Sequence, residues 1–172
     1  NNSYSTSYIP TSGAISTRLG EVVKDAGDAS TFNSEGVLFV EASLLSNLGA
    51  VKDIILRSAD GQNVVTLRVD DSTIGTTRVI YETRINSSYT TVKTSNQIDF
   101  TPQTKIAVTW SSTKASLWID GVEIGSLIGD YSISGLSNFS LGTTNPFYGK
   151  VKDLRVYNTA LTDAELITLT TI

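Results

Sequence analysis

Apolar and polar residues take turns in many short runs along this chain, and that alternation constrains the fold more than any other feature. Val64–Val69 sets Val65, Leu67 and Val69 against Thr66 and Arg68. Thr77–Ile85 sets Val79, Tyr81, Thr83 and Ile85 against Arg78, Ile80, Glu82 and Arg84. Successive side chains of a strand point to opposite faces, so each run buries one face and leaves the other free. Gly, Asn, Asp and Ser separate the runs. Asp60-Gly61 and Asp120-Gly121 are hairpin signals, and Asn86-Ser87-Ser88 is a third turn. Strands are predicted at Tyr4–Ile9, Ala14–Val23, Val37–Leu44, Ile54–Arg57, Val64–Val69, Thr77–Ile85, Thr90–Thr94, Lys105–Ser111, Ala115–Ile119, Phe139–Leu141 and Val151–Tyr157. Many short strands with evenly spread turns predict an all-β, two-sheet antiparallel sandwich of jelly-roll type.

Parity assigns the space between the sheets. Leu38, Val40, Ala42 and Leu44 share a side opposite Phe39 and Glu41, and Ile106, Val108 and Trp110 share another. Leu117 and Ile119 share a third, which leaves Trp118 on the reverse face. Helix is confined to the C-terminal end, apart from a short irregular helical piece at Ser43–Leu48. The run Tyr148–Leu166 reads as a strand, a turn and a short helix. Its spacing is uneven near Asp153, where a bulge fits. Asn158-Thr159 breaks the strand. Thr162 and Glu165 form a capping box, in which the hydroxyl accepts from a first-turn amide and the carboxylate reaches back to the cap. Leu161, Leu166 and Leu169 give the helix an apolar side.

The chain has 172 residues, 40% of them hydrophobic, enough for one domain over residues 1–172 with a full two-sheet core. It begins at Asn1 and contains no Met, so it reads as a domain cut from a longer chain. It has no apolar run near membrane-spanning length, and membrane insertion is not expected. The absence of Cys leaves the redox compartment open. A net charge of −4, with the 13 Lys and Arg scattered, argues against nucleic acid as a partner. The absence of His excludes His-based acid–base catalysis, Ser-His and Cys-His nucleophiles and His-ligated zinc.

Three segments carry a family resemblance. Ile106–Trp110, followed by Ala115-Ser116-Leu117-Trp118-Ile119-Asp120-Gly121-Val122-Glu123-Ile124-Gly125, resembles the central hairpin of laminin-G-like and concanavalin A-like jelly rolls. Leu161-Thr162-Asp163-Ala164-Glu165-Leu166 is similar to the closing element of that family. Ser7-Tyr8-Ile9-Pro10-Thr11, with Thr17-Arg18, resembles an opening seen in jelly rolls of bacteriophage tail and other virion proteins. The resemblance implies a glycan- or surface-binding sandwich. It suggests a non-enzymatic recognition module of a phage tail fibre or similar appendage, binding a cell-surface polysaccharide. The alternative is a structural or decoration module of a virion or adhesin assembly without a free ligand. Partners are then a polysaccharide or other virion or appendage subunits, with a homo-oligomer, such as a trimer, fitting a fibre. The location is the virion, or else the cell surface or extracellular space.

The fold also houses glycoside hydrolases and polysaccharide lyases, so the residues must decide. Retaining glycosidases need two carboxylates a few ångströms apart. Glu41 has Phe39 and Ser43 two residues away, and the adjacent Asp70 and Asp71 point apart on a strand. A tyrosine base would still serve a lyase, but no convergent acid–base set is visible, and an enzyme is not expected. Asp60, Asp70, Asp71, Asp120, Asp130 and Asn145 lie at turns that could offer oxygens to calcium, but these residues also favour turns for their own sake, and no cofactor or metal is expected.

The glycan-binding candidates fall into three groups. Trp118 would stack on a pyranose face, although its parity equally suits a ring under a loop or at a subunit contact. Glu41, Arg57, Arg68, Glu82 and Arg84 lie opposite their strands' core faces. If those strands share a sheet, they make a charged surface that could hold hydroxyls or carboxylates, or simply an ion-pair lattice. Tyr89, Tyr131, Phe147 and Tyr148 lie in or beside loops, where they could form a rim site or pack at an interface.

Overall fold

The alternating runs fold as strands of two antiparallel sheets. The computed structural model describes residues 23–26, 32–44, 51–71, 77–141, 147 and 149–172. Among them are β1 (Val23–Ala26), β2 (Gly36–Leu44), β3 (Val51–Ser58), β4 (Val64–Asp70), β5 (Arg78–Ile85) and β6 (Ser88–Thr94). There follow β7 (Thr104–Trp110), β8 (Lys114–Ile119), β9 (Val122–Ile128), β10 (Leu136–Leu141), β11 (Gly149–Tyr157) and the helix α1 (Asp163–Thr170). One sheet has six strands in the order β1-β10-β3-β4-β5-β6, and the other has five in the order β11-β2-β7-β8-β9. Two antiparallel sheets with one short terminal helix are the jelly-roll sandwich expected from the sequence.

The turns follow their residues. Asp120 and Gly121, at φ 47° and 82°, link β8 to β9 as a two-residue loop. Asn86 and Ser87, at φ 48° and 68°, do the same between β5 and β6. Positive φ at both central residues is the turn whose twist matches that of paired strands. At the start of β2, Gly36 is dictated by space: a Cβ there would lie 2.7 Å from Cζ2 of the Trp110 ring and would press on the Tyr157 carbonyl oxygen.

The main core fills the space between the sheets. It takes Leu38, Val40, Ala42 and Leu44 from β2, Val65, Leu67 and Val69 from β4, and Val79 and Tyr81 from β5. Ile106, Val108 and Trp110 of β7 and Leu117 and Ile119 of β8 face them, as parity predicts. Tyr81 is fully buried, with its hydroxyl donating to the Thr109 carbonyl at 2.9 Å. Burial pushes that phenol far above its ordinary range, so it stays protonated. Lys52 points inward too, and its ammonium meets Asp71 at 2.8 Å with neither side chain exposed. Pairing is what makes two buried charges tolerable there.

A second apolar cluster lies on the outer face of the five-stranded sheet. Val37 and Phe39 of β2, Ala107 of β7, Trp118 of β8 and Leu166 of α1 pack together, with Tyr157, Leu161 and Leu169 at the border. β2, β7 and β8 are buried at both parities here because both faces are covered. Thr162 caps α1 as expected: its hydroxyl accepts from the Glu165 amide at 3.3 Å, and the Glu165 carboxylate accepts from the Thr162 amide at 2.8 Å. Three polar ties pin the helix down. Gly121 N–H donates to the Thr170 hydroxyl at 3.1 Å, Lys105 Nζ donates to the Thr171 carbonyl at 2.7 Å, and Lys114 Nζ meets Asp163 at 3.2 Å.

Some expectations need correction. Ser43 and Leu44 continue β2, pairing with Lys150 and Gly149, and do not begin a helix. Leu45–Leu48 lie outside the described residues, as do Tyr4–Ile9, the opening Tyr8-Ile9-Pro10-Thr11 and most of Ala14–Val23. β9 is the second arm of the hairpin that Asp120-Gly121 signals, although residues 122–128 carry no strand prediction of their own because Gly125 and Ser126 interrupt the run of strand formers. The bulge near Asp153 is present as a register shift between Val151 and Asp153.

Candidate functional site

The two sheets present opposite kinds of outer face, and the candidate residues divide between them. On the six-stranded sheet, the register stacks three cross-strand rows: Arg57, Val64, Arg84 and Tyr89; Ile55, Thr66, Glu82 and Thr91; and Asp53, Arg68, Ile80 and Thr94. Directly opposed side chains on one face lie within contact range, so the rows form a continuous surface. It is a shallow groove of about 240 Å³, lined by Asp53, Ile55, Arg57, Gly61, Val64, Thr66, Arg68, Glu82, Arg84 and Tyr89. Five sequence candidates, Arg57, Arg68, Glu82, Arg84 and Tyr89, therefore meet in one place.

Charges within the groove are unevenly satisfied. Arg68 Nε donates to Asp53 Oδ1 at 2.8 Å, and its Nη1 lies 3.0 Å from Glu82 Oε2. The Asp53 carboxylate beside it, with Glu82 adding to the effect, raises the Arg68 pKa further. Arg84 Nη1 donates to the Tyr89 hydroxyl at 3.0 Å, and its guanidinium lies 5.1 Å from the centre of the Tyr89 ring. Arg84 Nε is buried without an acceptor. The Tyr89 side of the groove has a firm end wall. There the Asn86 amide donates to Asn63 Oδ1 at 2.9 Å, and Asn63 Nδ2 donates to the Ser134 carbonyl at 3.0 Å. The two adjoining hairpin turns are thereby fastened together.

Other candidates lie elsewhere. Glu41 belongs to β2 of the five-stranded sheet, so it does not share the surface of the four charged groove residues. It is nearly buried and holds Lys152 Nζ at 2.7 Å. Trp118 is off the main core, as parity required, but only 3% exposed. The helix covers its ring, Lys114 Nζ lies 5.7 Å from the ring centre, and its indole N–H donates to Ser116 Oγ at 2.9 Å. A covered ring offers no face for a sugar, so the stacking platform expected at Trp118 is corrected to a packing residue. Tyr131 is half-buried against the main core and apart from the groove. Tyr148 lies outside the described residues. Sequence reasoning missed Asp53, which precedes the predicted strand Ile54–Arg57, because the inward Lys52 hides the alternation of Val51–Ser58; it missed Ile55 because an apolar side chain on the outer face carries no polar signal.

The aspartates at turns serve those turns. Asp60 accepts from Ser58 Oγ and the Gln62 amide, Asp130 from the Ser132 amide and Asp120 from the Lys105 amide. These contacts hold the Asp60 and Asp130 carboxyls below their usual range. Among the described residues, no three His, Cys, Asp or Glu gather where they could hold a metal ion. Nor is any described helix long and apolar enough to cross a membrane.

A family model described as the concanavalin A-like lectin/glucanases superfamily matches residues 45–167. No curated protein matches the sequence. Among solved structures, the CBM40 of a Ruminococcus gnavus IT-sialidase bound to α2,3-sialyllactose superposes with a TM-score of 0.63 at 18% identity, covering 90% of this chain and 97% of that one. Domain 4 of AbnA, a GH43 extracellular arabinanase from Geobacillus stearothermophilus, in complex with arabinotriose, gives 0.66 at 19% identity over 84% of this chain and 70% of that one. A heptameric SAP-like pentraxin from Limulus polyphemus gives 0.64 at 13% identity over 86% of this chain and 74% of that one. At such identities the likeness is one of fold.

Proposed function

The chain belongs to the concanavalin A-like lectin/glucanase superfamily, and on that premise we propose that it is a non-catalytic recognition module that binds a cell-surface glycan on the outer face of its six-stranded sheet. The observation that carries this reading is the convergence of Arg57, Arg68, Glu82, Arg84 and Tyr89 on one open groove, while the corresponding face of the other sheet lies under a helix. Guanidinium and carboxylate groups beside an exposed aromatic suit a sugar, which offers hydroxyls at its edges and C–H groups on its faces. Solved structures of the same fold bound to sialyllactose and to arabinotriose support the general function. The setting we propose is a phage tail fibre or similar appendage, on the virion, with polysaccharide and neighbouring subunits as partners. Its support is the resemblance of Ser7-Tyr8-Ile9-Pro10-Thr11 to virion jelly rolls.

A glycan array tests the binding. Capture of one or more saccharides, weakened by substitutions in the groove and unaffected by Lys152→Ala on the other sheet, is the expected result. Absence of binding across a broad panel would sink the reading. It would favour a structural module instead, for which the exposed Val122 and Ile128 on edge strand β9 offer a contact surface. Incubation with polysaccharides should release neither reducing ends nor unsaturated products, and release of either would overturn the non-catalytic assignment.

A further inference from the structure

Within the groove the positive charges are not equally neutralised. Both of its carboxylates, Asp53 and Glu82, are committed to Arg68. Among the described residues Arg84 makes no ion pair, and its one hydrogen bond goes to the neutral Tyr89 hydroxyl. Its Nε is sealed from solvent without an acceptor. Asp60, in the turn between β3 and β4, feels the charge of Arg84 but spends its oxygens on Ser58 and Gln62. A guanidinium is a planar fork of donors that fits a carboxylate in bidentate fashion, and it is rarely left in a cleft without an anion.

Tyr89 completes the arrangement. It is 67% exposed, and Arg84 takes one face of its ring, so the other face is open. The cation polarises the ring it lies on, and the open face can carry the C–H side of a sugar. The groove, at about 240 Å³, is smaller than the roughly 300–1,000 Å³ of pockets that enclose drug-sized ligands, so it grips a ring or two and leaves the rest of a polymer in solvent.

We infer that the groove selects acidic saccharides: a sugar carboxylate is the missing counter-ion of Arg84, and the neighbouring sugar of the same glycan rests on the open face of Tyr89. This deepens the glycan-binding reading and depends on it. A chain with a net charge of −4 would otherwise repel anionic polymers, so selectivity of this kind must come from a local site and not from the overall field.

The test uses an array of sialylated and uronic-acid oligosaccharides, each printed beside its carboxyl-reduced counterpart, with neutral and sulfated glycans in further sectors. Wild type, Arg84→Gln, Arg84→Lys and Tyr89→Ala are compared after circular dichroism confirms their fold. The expected result is binding in the carboxylated sector that falls at least tenfold on carboxyl reduction. It should fall similarly in Arg84→Gln, be partly retained in Arg84→Lys, and weaken with salt. Binding that survives both carboxyl reduction and Arg84→Gln overturns the inference while leaving glycan recognition intact. Binding confined to sulfated or neutral glycans does the same. Silence across every sector overturns both.

Discussion

The outer faces of the two sheets start from the same backbone geometry and end in opposite states. On the five-stranded sheet, Val37, Phe39, Ala107 and Trp118 are buried because α1 lays Leu166 across them. On the six-stranded sheet, the corresponding positions are Arg57, Arg68, Glu82, Arg84 and Tyr89, and among the described residues no helix covers them. The difference teaches that an off-core aromatic marks a binding face only where nothing later in the chain folds over it. Trp118 and Tyr89 are both large aromatics opposite a core face, yet one is 3% exposed and the other 67%.

Substitutions on the two faces should therefore break different properties. The largest effect is expected from Trp118→Ala, which empties the cluster under the helix and should cost about 3–5 kcal/mol of folding stability in a denaturant titration. A loss below about 1 kcal/mol would mean that the helix does not seal this face. Leu166→Ala removes the same contact from the helix side and should cost about 2–5 kcal/mol. Because the two residues touch, the double variant should lose less than the sum of the single ones.

Thr162→Ala loosens the cover without touching the cluster and should cost about 0.5–2 kcal/mol, read from the same titration. It also predicts a pH signature. Hydrogen bonds from Thr162 hold the Glu165 carboxyl below its ordinary value of 4.5. A depressed carboxyl adds stability above its unfolded pKa and loses it as pH falls through the folded value. The gap between wild type and Thr162→Ala should thus be full above about pH 4.5 and narrow below it, in thermal melts across that range. A gap independent of pH would show that the hydrogen bond from the Thr162 hydroxyl to the Glu165 carboxylate contributes nothing. The smallest effect belongs to the open face. Arg68→Met breaks pairs with Asp53 and Glu82 that solvent partly screens, so stability should move by only about 0–1 kcal/mol, while glycan binding falls.

The sequence showed the charged face clearly and the sealed face poorly. In β4 and β5 the alternation is regular, so parity alone sets Arg68, Glu82 and Arg84 opposite their strands' core faces. Trp110, Leu117 and Ile119 went to the core by the same rule. What parity could not supply was strand order, which is a non-local property: it puts Glu41 on the other sheet, beside Lys152 and 111 residues from it in sequence. The sealed face did leave a trace. β2, β7 and β8 each carry an apolar residue on the face away from the core (Val37 and Phe39, Ala107, Trp118), and such residues announce a second layer. With Leu166 in the capped helix as the matching apolar side, that trace would have placed Trp118 under cover.

The pairing of β11 with β2, followed by α1, also bears on how the molecule is made. The cover over Phe39 and Trp118 comes from residues near 166, so a ribosome completes both sheets' central strands well before their lid emerges. Until then the nascent chain carries a bare apolar sheet face and an unpaired β2 edge, the features that invite association between partly folded chains. Contacts spanning so much sequence are also slow to form. The vulnerable period for this domain is therefore the interval between the synthesis of β8 and that of α1, and a chain that stops before Leu166 should accumulate as aggregate although the sequence of its groove is complete.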